Sequence, residues 1–322
     1  MDFSILTYNL SNPTILFFLL GIVAVWVKSD LQVPESSFKF ISLYLLLSIG
    51  FKGGQELAHG EISNEVMWTL AFGMALAIIV PVYVFYIARI RLNAYDSSAV
   101  AAAYGSVSAV TFVSAIAFVE FQGLKSGGHM VAVMALMEAP AIVMGFIMLN
   151  FAGVKTEGQR WSSIIKHSFT NGSVLLIFGS LIIGMLTDAK QAEGIRPFTN
   201  DIFKGFLAIF LLEMGMSIAK RLSSLRKYGW FVLTLGILVP LVNGIAVALL
   251  SGLVTHDVAN RFILAVLAAS ASYIAVPAAM RLAVPQADPG LYVPMALGIT
   301  FPLNITLGMP LYFYVVQLTF VK

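Results

Sequence analysis

The sequence contains no cysteine and few charged residues. With a cysteine count of zero, disulfide bonds, thiolate metal sites and cysteine nucleophiles are excluded, and the four histidines lie too far apart to form a ligand cluster. Charged residues make up only 11% of the 322 residues, whereas soluble domains carry about 25%. This scarcity excludes an ordinary soluble domain. The net charge of +3 is also too small and too dispersed for a nucleic-acid-binding surface.

Long apolar runs are what the chain has instead. Hydrophobic residues make up 59% of it, and the mean hydropathy is +0.90. Because a bilayer-spanning helix needs about 20 apolar residues, these runs predict an all-α polytopic membrane protein with ten transmembrane helices. The second run is interrupted early by a polar step, so we expect a short or broken helix there. The predicted helices are 10–27, 37–52, 66–88, 97–120, 129–151, 168–187, 201–220, 229–253, 259–282 and 290–319.

The ten predicted helices form two similar halves. Val80-Pro81 of the third helix matches Val239-Pro240 of the eighth, at an offset of 159 residues. Glu138-Ala139-Pro140 of the fifth matches Thr300-Phe301-Pro302 of the tenth, at an offset of 162. Because each half has an odd number of helices, the halves enter the membrane from opposite sides, as in an inverted repeat. The predicted division is a first repeat over 1–151, a cytoplasmic linker over 152–167 and a second repeat over 168–322.

Hydroxyl residues occur in the middle of the fourth and ninth predicted helices. Ser106 and Ser108 recur, 164 residues later, as Ser270 and Ser272. At about 1.5 Å rise per residue, both pairs lie near the bilayer midplane, where lipid cannot satisfy a hydroxyl group. We therefore predict that both helices break and cross at these steps and point their half-helix N-termini into a shared cavity. The alternative is ordinary packing of small residues between membrane helices.

Such a cavity, with free backbone amides and a partial positive charge, suits a small anion. The candidate substrate-binding residues are Gly105, Ser106, Ser108, Thr111, Ser270, Ser272 and Tyr273. Glu138 is an acid inside the membrane, which makes it a candidate cation ligand or proton carrier, with a buried structural hydrogen bond as the alternative. Thr300 and Asn304 are the further candidate cation ligands, and polar packing is the alternative for Asn304. We expect Na+ as a possible coupling ion, and no cofactor or other metal.

The lysines and arginines predict an orientation. Connections after the odd-numbered helices hold 12 of the 19 basic residues, so that side is cytoplasmic by the positive-inside rule. Both chain termini are then expected outside, with the protein in the inner (plasma) membrane.

Several motifs in matching order resemble one known family, the cyanobacterial sodium-dependent bicarbonate transporters. They are Gly105-x-Val107-Ser108-x-x-Thr111, Met137-Glu138-Ala139-Pro140-Ala141, Met214-Gly215-Met216, Ala268-Ala269-Ser270-x-Ser272 and Pro285-x-Ala287-Asp288-Pro289. The resemblance implies a fold similar to bile-acid sodium symporters. Helices three to five and eight to ten would form a core domain, and helices one, two, six and seven a gate domain. It also implies sodium-coupled bicarbonate transport and a homotrimer.

The chain departs from that family at the second crossover. The family usually reads Ser-Ser-Asp-Ile-Ser-Gly-Pro-Pro-Thr there, and this chain has Tyr273 in place of the Asp, with a hydroxyl and a glycine lost nearby. The acid of the fifth helix is Asp in the family and Glu138 here, which keeps the charge. The long central loop linked to a regulatory partner in cyanobacterial members is short here, so that partner is not implied.

These observations predict a secondary active transporter for a small anion, with sodium-coupled bicarbonate uptake by alternating access as the leading hypothesis. Two alternatives stay open: a related carrier for an organic anion, and a membrane sensor that binds a ligand without moving it. An enzyme is not expected, because no predicted helix carries a nucleophile elbow, an acid pair or metal-ligand spacing. The lipid bilayer and the anion are the expected partners, and nucleic acid is not.

Overall fold

The computed structural model describes residues 13–59, 63–154, 172–225 and 229–320. Throughout these ranges the chain forms helices and no strand, which confirms the all-α prediction. The predicted linker lies outside the described residues from position 155 onward. The helices are α1 Pro13–Trp26, α2 Glu35–His59, α3 Asn64–Ala88, α4 Ala94–Gly105, α5 Ala109–Phe121, α6 His129–Phe151, α7 Gly172–Leu186, α8 Ala189–Arg196, α9 Phe203–Leu225, α10 Gly229–Leu250, α11 Val258–Ala269, α12 Ala275–Ala283 and α13 Pro289–Leu318.

Several of these helices can cross a membrane. Among the described residues, five segments are long and apolar enough by length and composition, namely Asn64–Ala88, Ala94–Phe121, His129–Phe151, Gly229–Leu253 and Pro289–Leu318. Shorter apolar helices are Leu16–Trp26, Leu175–Leu186 and Val258–Ala269. The apolar helical character is thus established, while the number of ten spans stays a prediction.

Helix α2 differs from its prediction. It is continuous over 25 residues and passes through the polar step that was expected to shorten or break it. Gly54 within this step lies directly against α7, where an added Cβ would overlap the carbonyl oxygen of Leu181. A glycine inside a helix costs about 1 kcal/mol relative to alanine, and the close contact that it permits offsets this cost. The glycines of α2 therefore serve packing and do not end the helix.

Helix α8 was not predicted. It follows α7 directly and continues into a π-helical turn, Pro197–Asp201. Asp188 begins it as an N-cap, since its Oδ1 accepts a hydrogen bond of 2.8 Å from the amide of Gln191. The segment is polar and exposed, so it lacks the apolar run by which the other helices were found.

The helices pack in a regular set of pairs. Helix α1 packs along α9, and α2 packs along α7. At the first of these contacts, a Cβ on Gly215 would overlap the carbonyl oxygen of Phe18, so the two backbones touch. Elsewhere, α3 packs against α4 and α6, α4 also packs against α6, and α10 packs against α11 and α13.

Helices α4 and α11 lie deep in the molecule. Every residue from Ser97 to Gly105 in α4 is buried, and so is every residue from Ala259 to Ala269 in α11. Both helices are rich in alanine, and small side chains allow neighbouring helices to approach from several sides. The C-terminal ends of α4 and α11 are consequently enclosed by protein, and these ends are where the candidate site lies.

Candidate functional site

The first predicted break is present. Helix α4 ends at Gly105, and Ser106 follows in an extended conformation, with φ −82° and ψ 176°. Gly105 permits this end to lie against α3, because a Cβ there would overlap the ring of Pro81. Ser108 then begins α5 as an N-cap, and its Oγ accepts a hydrogen bond of 3.1 Å from the amide of Thr111. Val107 is the one residue between the two serines, so the interruption is short.

The second predicted break is present too. Helix α11 ends at Ala269, and Ser270 follows with φ −81° and ψ 166°, nearly the conformation of Ser106. Helix α12 begins at Ala275, and the Oγ of Ser272 accepts a hydrogen bond of 3.4 Å from the amide of Val276. Both Ser-x-Ser steps therefore connect two helices, as the sequence predicted.

The two breaks touch each other. The backbone amide of Ser108 donates to the Oγ of Ser270 at 3.0 Å, and the backbone amide of Ser272 donates to the carbonyl oxygen of Ala103 at 2.8 Å. Backbone groups released by one break are thus satisfied by the other, which buried polar groups require. The structure brings together Ser108, Ser270 and Ser272 at a single buried place.

One hydroxyl at this place has no partner. The Oγ of Ser106 is buried and forms no hydrogen bond with the described residues, and the side chain is 1% exposed. An unsatisfied buried hydroxyl costs about 1–3 kcal/mol, so its retention calls for an explanation. A ligand that accepts or donates a hydrogen bond here would supply one.

Tyr273 extends from the second break toward α9. Its hydroxyl lies 3.7 Å from the Sδ of Met214, and its ring meets the ring of Phe301 edge to face, with centroids 6.0 Å apart. Phe301 in turn contacts Phe18 of α1 at 6.2 Å. Tyr273 therefore joins the break to helices α1 and α9 through aromatic and sulfur contacts.

Thr300 and Asn304, the further candidate cation ligands, lie in π-helical segments of α13 and support the breaks. The Oγ1 of Thr300 donates to the carbonyl oxygen of Gly236 at 2.9 Å and lies 2.7 Å from the hydroxyl of Tyr104. The amide of Asn304 donates to the carbonyl oxygen of Ala269 at 2.7 Å. Both side chains are thus engaged in structural hydrogen bonds, which is the packing alternative considered for Asn304.

Glu138 lies in α6 and is 7% exposed. Within the described ranges its carboxyl group forms no hydrogen bond and no ion pair, and none joins it to Thr300 or Asn304. No group of three or more acidic or histidine side chains among the described residues could hold a metal ion. A buried carboxyl group without a partner is costly unless a proton or a cation neutralises it.

Sequence reasoning missed one polar residue at the site. Asn243 of α10 donates from its amide to the carbonyl oxygen of Ala268 at 3.1 Å, and its Oδ1 accepts a hydrogen bond from the hydroxyl of Tyr83. Together with Asn304, it satisfies the last carbonyl groups of α11. The sequence offered one signal for this residue, because Asn243 is a polar residue in an apolar run, three residues after Pro240.

A comparison with protein-family models matches residues 13–317 of the chain to the Na+-dependent bicarbonate transporter superfamily. The chain belongs to this superfamily. The match spans both breaks and nearly the whole sequence, so it confirms the family resemblance that the motifs indicated. A search of the curated proteins found no match.

Membership in the Na+-dependent bicarbonate transporter superfamily, together with the apolar helices, identifies the chain as an integral membrane protein of a transporter family. The crossover segment around Tyr273 lies inside the matched range. The departure at Tyr273 is therefore a difference within the family and does not place the chain outside it.

Proposed function

We propose that the chain is a secondary transporter that moves a small anion across the membrane by alternating access. Bicarbonate is the first candidate substrate and Na+ the first candidate coupling ion, because the matched superfamily is described by these two ions.

The observation that carries the proposal is the contact between the two helix breaks. The start of α5 directs backbone amides and the positive end of its dipole toward this place, and the buried Oγ of Ser106 lies there with no hydrogen-bond partner among the described residues. A small oxyanion is a hydrogen-bond acceptor that fits both features. Ser106, Ser108, Ser270 and Ser272 are the proposed substrate-binding hydroxyl groups, with Gly105, Thr111 and Tyr273 around them.

The ten-helix inverted repeat is part of this proposal. Helices α4 and α11 are each 12 residues long and are offset by 164 residues. Their N-caps, Asn93 and Asp257, have the same offset, as do their C-caps, Ser106 and Ser270. Correspondence at both ends of a helix is hard to obtain by chance, and it supports two related halves.

The division into core and gate domains is also proposed. Helices α1 and α9 form one close pair, and α2 and α7 form another, which are corresponding pairs if the halves are related. Helices α3, α4 and α6 pack together, as do α10, α11 and α13. This pairing supports a gate made from the first group and a core made from the second, sliding against each other during transport.

Glu138 is proposed to hold the coupling cation. It is the buried carboxyl group without a partner within the described residues, and a cation or proton there would remove the cost of its charge. Thr300 and Asn304 retain free oxygen lone pairs and are proposed as secondary ligands, although both already form structural hydrogen bonds.

Transport of an organic anion is the second candidate function. The observation that favours it is Tyr273, whose ring with Phe301 provides an aromatic surface beside the breaks. An aromatic surface suits the apolar part of an organic anion better than it suits bicarbonate. Comparing bicarbonate with small carboxylates in one assay separates the two functions.

The decisive experiment is flux in proteoliposomes. Purified protein is reconstituted, an inward Na+ gradient is applied, and uptake of labelled bicarbonate is compared with uptake in choline buffer. We expect uptake that depends on the gradient and that is lost in a Ser108→Ala/Ser272→Ala variant. Saturable binding in a thermal-shift screen without any flux would instead indicate a sensor, because a ligand of the folded state raises its stability.

We also propose that the protein lies in the plasma membrane with both termini outside. We further propose that it assembles as a homotrimer. The first rests on the distribution of basic residues. The second rests on the family resemblance, and cross-linking in native membranes tests it.

A further inference from the structure

A cavity of about 450 Å³ opens between α2 and α5, near the C-terminal end of α2. The loop before α6 and the start of α9 complete its walls. We call this cavity the vestibule. The residues of α2 and α5 that line it are Ile49, Lys52, Gly53, Glu56, Ile116, Val119 and Glu120.

A separate, narrow crevice of about 20 Å³ lies between the same two helices, about one turn nearer the breaks. Leu45 and Leu46 of α2 line one side of it, and Val110 and Val113 of α5 line the other. Ile274, which follows the second break, is also in its lining. A water molecule requires about 10–15 Å³ of such space, so the crevice admits one water at most. The crevice is thus much smaller than the vestibule, and mostly apolar side chains line it between the vestibule and the breaks.

An ion pair spans the vestibule. The Nζ of Lys52 in α2 lies 3.7 Å from the Oε1 of Glu120 in α5, and the two side chains are 32% and 33% exposed. The same ammonium group lies 5.4 Å from the ring centroid of Phe203 in α9. The ion pair thus joins a helix of the proposed gate to a helix of the proposed core, with Phe203 holding the lysine on the gate side.

The opposite edge of the vestibule is built differently. A Cβ on Gly128 would overlap the carbonyl oxygen of Gly53, and a Cβ on Gly53 would lie 2.9 Å from the Cβ of Val131. Here α2 and the start of α6 are in direct backbone contact, with the side chain of Glu56 packed beside Gly128. This edge can act as a pivot, whereas the edge with the ion pair can open.

From this arrangement we infer a two-layer outer gate: the Lys52–Glu120 ion pair is a latch across the vestibule, and the apolar crevice beneath it is the seal above the substrate site. The inference rests on the proposed function, because a gate matters only if something passes. A partly exposed ion pair between flexible side chains contributes little free energy, which suits a contact that must break and reform in each cycle.

The absence of native cysteine makes the gate directly measurable, since each introduced cysteine is the sole reactive thiol. Ile116→Cys places a thiol in the vestibule, and Val113→Cys places one about 4.5 Å deeper, in the crevice. A membrane-impermeant maleimide is added to intact cells or oriented vesicles. We expect Ile116→Cys to react and Val113→Cys to react much more slowly. Ile79→Cys, at an apolar surface position of α3, is the unreactive control.

The latch is tested by adding charge changes to the Val113→Cys protein. Glu120→Gln and Lys52→Gln should each raise its labelling rate about two- to fivefold, the range expected for loss of a partly exposed ion pair. The double neutral variant should add little further, because both changes remove the same Lys52–Glu120 pair. The exchanged pair, Lys52→Glu with Glu120→Lys, should restore the slow rate when Glu56→Gln removes the neighbouring carboxylate that would repel the new acid.

The matched control is Arg89→Gln, which removes an exposed basic charge at the C-terminal end of α3, away from the vestibule, where the guanidinium donates to the carbonyl oxygen of Leu92 at 3.0 Å. The labelling rate of Val113→Cys should stay unchanged in it. The inference is overturned if Glu120→Gln leaves that rate unchanged, or if Val113→Cys reacts as fast as Ile116→Cys in the unmodified background. If the labelling rates are as expected but neither bicarbonate nor a carboxylate is transported, the proposed function is wrong and the inferred gate structure is retained.

Discussion

At the scale of single residues, the site separates side chains that hold the protein together from side chains that are free to bind. Ser108, Ser270 and Ser272 all accept hydrogen bonds from backbone amides, so each of them supports a break. Ser106 and Glu138 form no hydrogen bond with the described residues. Substitution of these two residues should therefore report on ligands with the least interference from folding.

Ser106→Ala should weaken anion binding without destabilising the protein. Its hydroxyl group forms no hydrogen bond within the part of the chain that the structure describes, so removing it should leave the melting temperature unchanged or slightly higher. A hydrogen bond to a charged ligand contributes about 1.5–3 kcal/mol, which predicts a loss of about tenfold to a hundredfold in affinity. Titration calorimetry and thermal unfolding measure the two quantities.

The control for this change is Ser114→Ala. Ser114 is buried in α5, and its Oγ donates to the carbonyl oxygen of Val110 at 2.9 Å. It should leave anion affinity unchanged. Equal losses of affinity in both variants would mean that the loss does not come from a hydrogen bond between Ser106 and the anion.

Glu138→Gln should abolish the cation dependence of substrate binding. Glutamine keeps the shape of the side chain and removes the charge that a cation or proton would neutralise. Substrate affinity should be measured in Na+ and in choline buffers at two pH values, for the unmodified and variant proteins. The proposed role of Glu138 is wrong if a steep, saturable Na+ dependence survives the change, and backbone carbonyl oxygens must then hold the ion.

At the scale of helices, the sequence was sufficient to locate the breaks because lipid cannot satisfy hydroxyl groups at the midplane. It was not sufficient for features that neighbours determine. The continuity of α2 depends on Gly54 fitting against α7, and the hydrogen bonds of Asn243 depend on where α11 ends. Hydropathy describes how a helix meets solvent or lipid. Contacts of this kind exist only after the helices have packed together.

Gly215→Ala should destabilise the protein by about 1–3 kcal/mol, the usual cost of overpacking a tight contact. The added methyl group would overlap the carbonyl oxygen of Phe18, so α1 and α9 must separate. Gly205→Ala in the same helix is the control, because no heavy atom lies within 4 Å of the added group. It should be neutral or stabilising. Thermal unfolding in one detergent compares the two, and equal changes would contradict the close α1–α9 contact.

At the scale of the whole molecule, contacts join helix ends that the sequence assigned to the same side of the membrane. Glu65, in the first turn of α3, accepts a hydrogen bond from Thr255, and the amide of Gly127 donates to Asn260 at 2.7 Å. These four residues lie at the ends that were assigned to the outside. At the ends assigned to the cytoplasm, the amide of Asp288 donates to Asp96 at 2.8 Å. Ends assigned to the same side therefore meet, while the number of spans and the side that faces the cytoplasm stay predictions.

This arrangement predicts the membrane topology by labelling. Gly194→Cys in α8 should react with an impermeant maleimide added to intact cells, because α8 follows a helix that is predicted to end outside. Gln286→Cys, between α12 and α13, should react only after the cells are made permeable. Both positions are exposed on the protein surface, so a difference in their reaction reports on the membrane and not on burial within the protein. With ten spans the two chain termini share a side, and tags at both ends should be reached from outside. Reaction of Gln286→Cys but not Gly194→Cys in intact cells would reverse the predicted orientation and keep the ten spans. Tags on opposite sides would require an odd number of spans and would exclude two inverted halves of five helices.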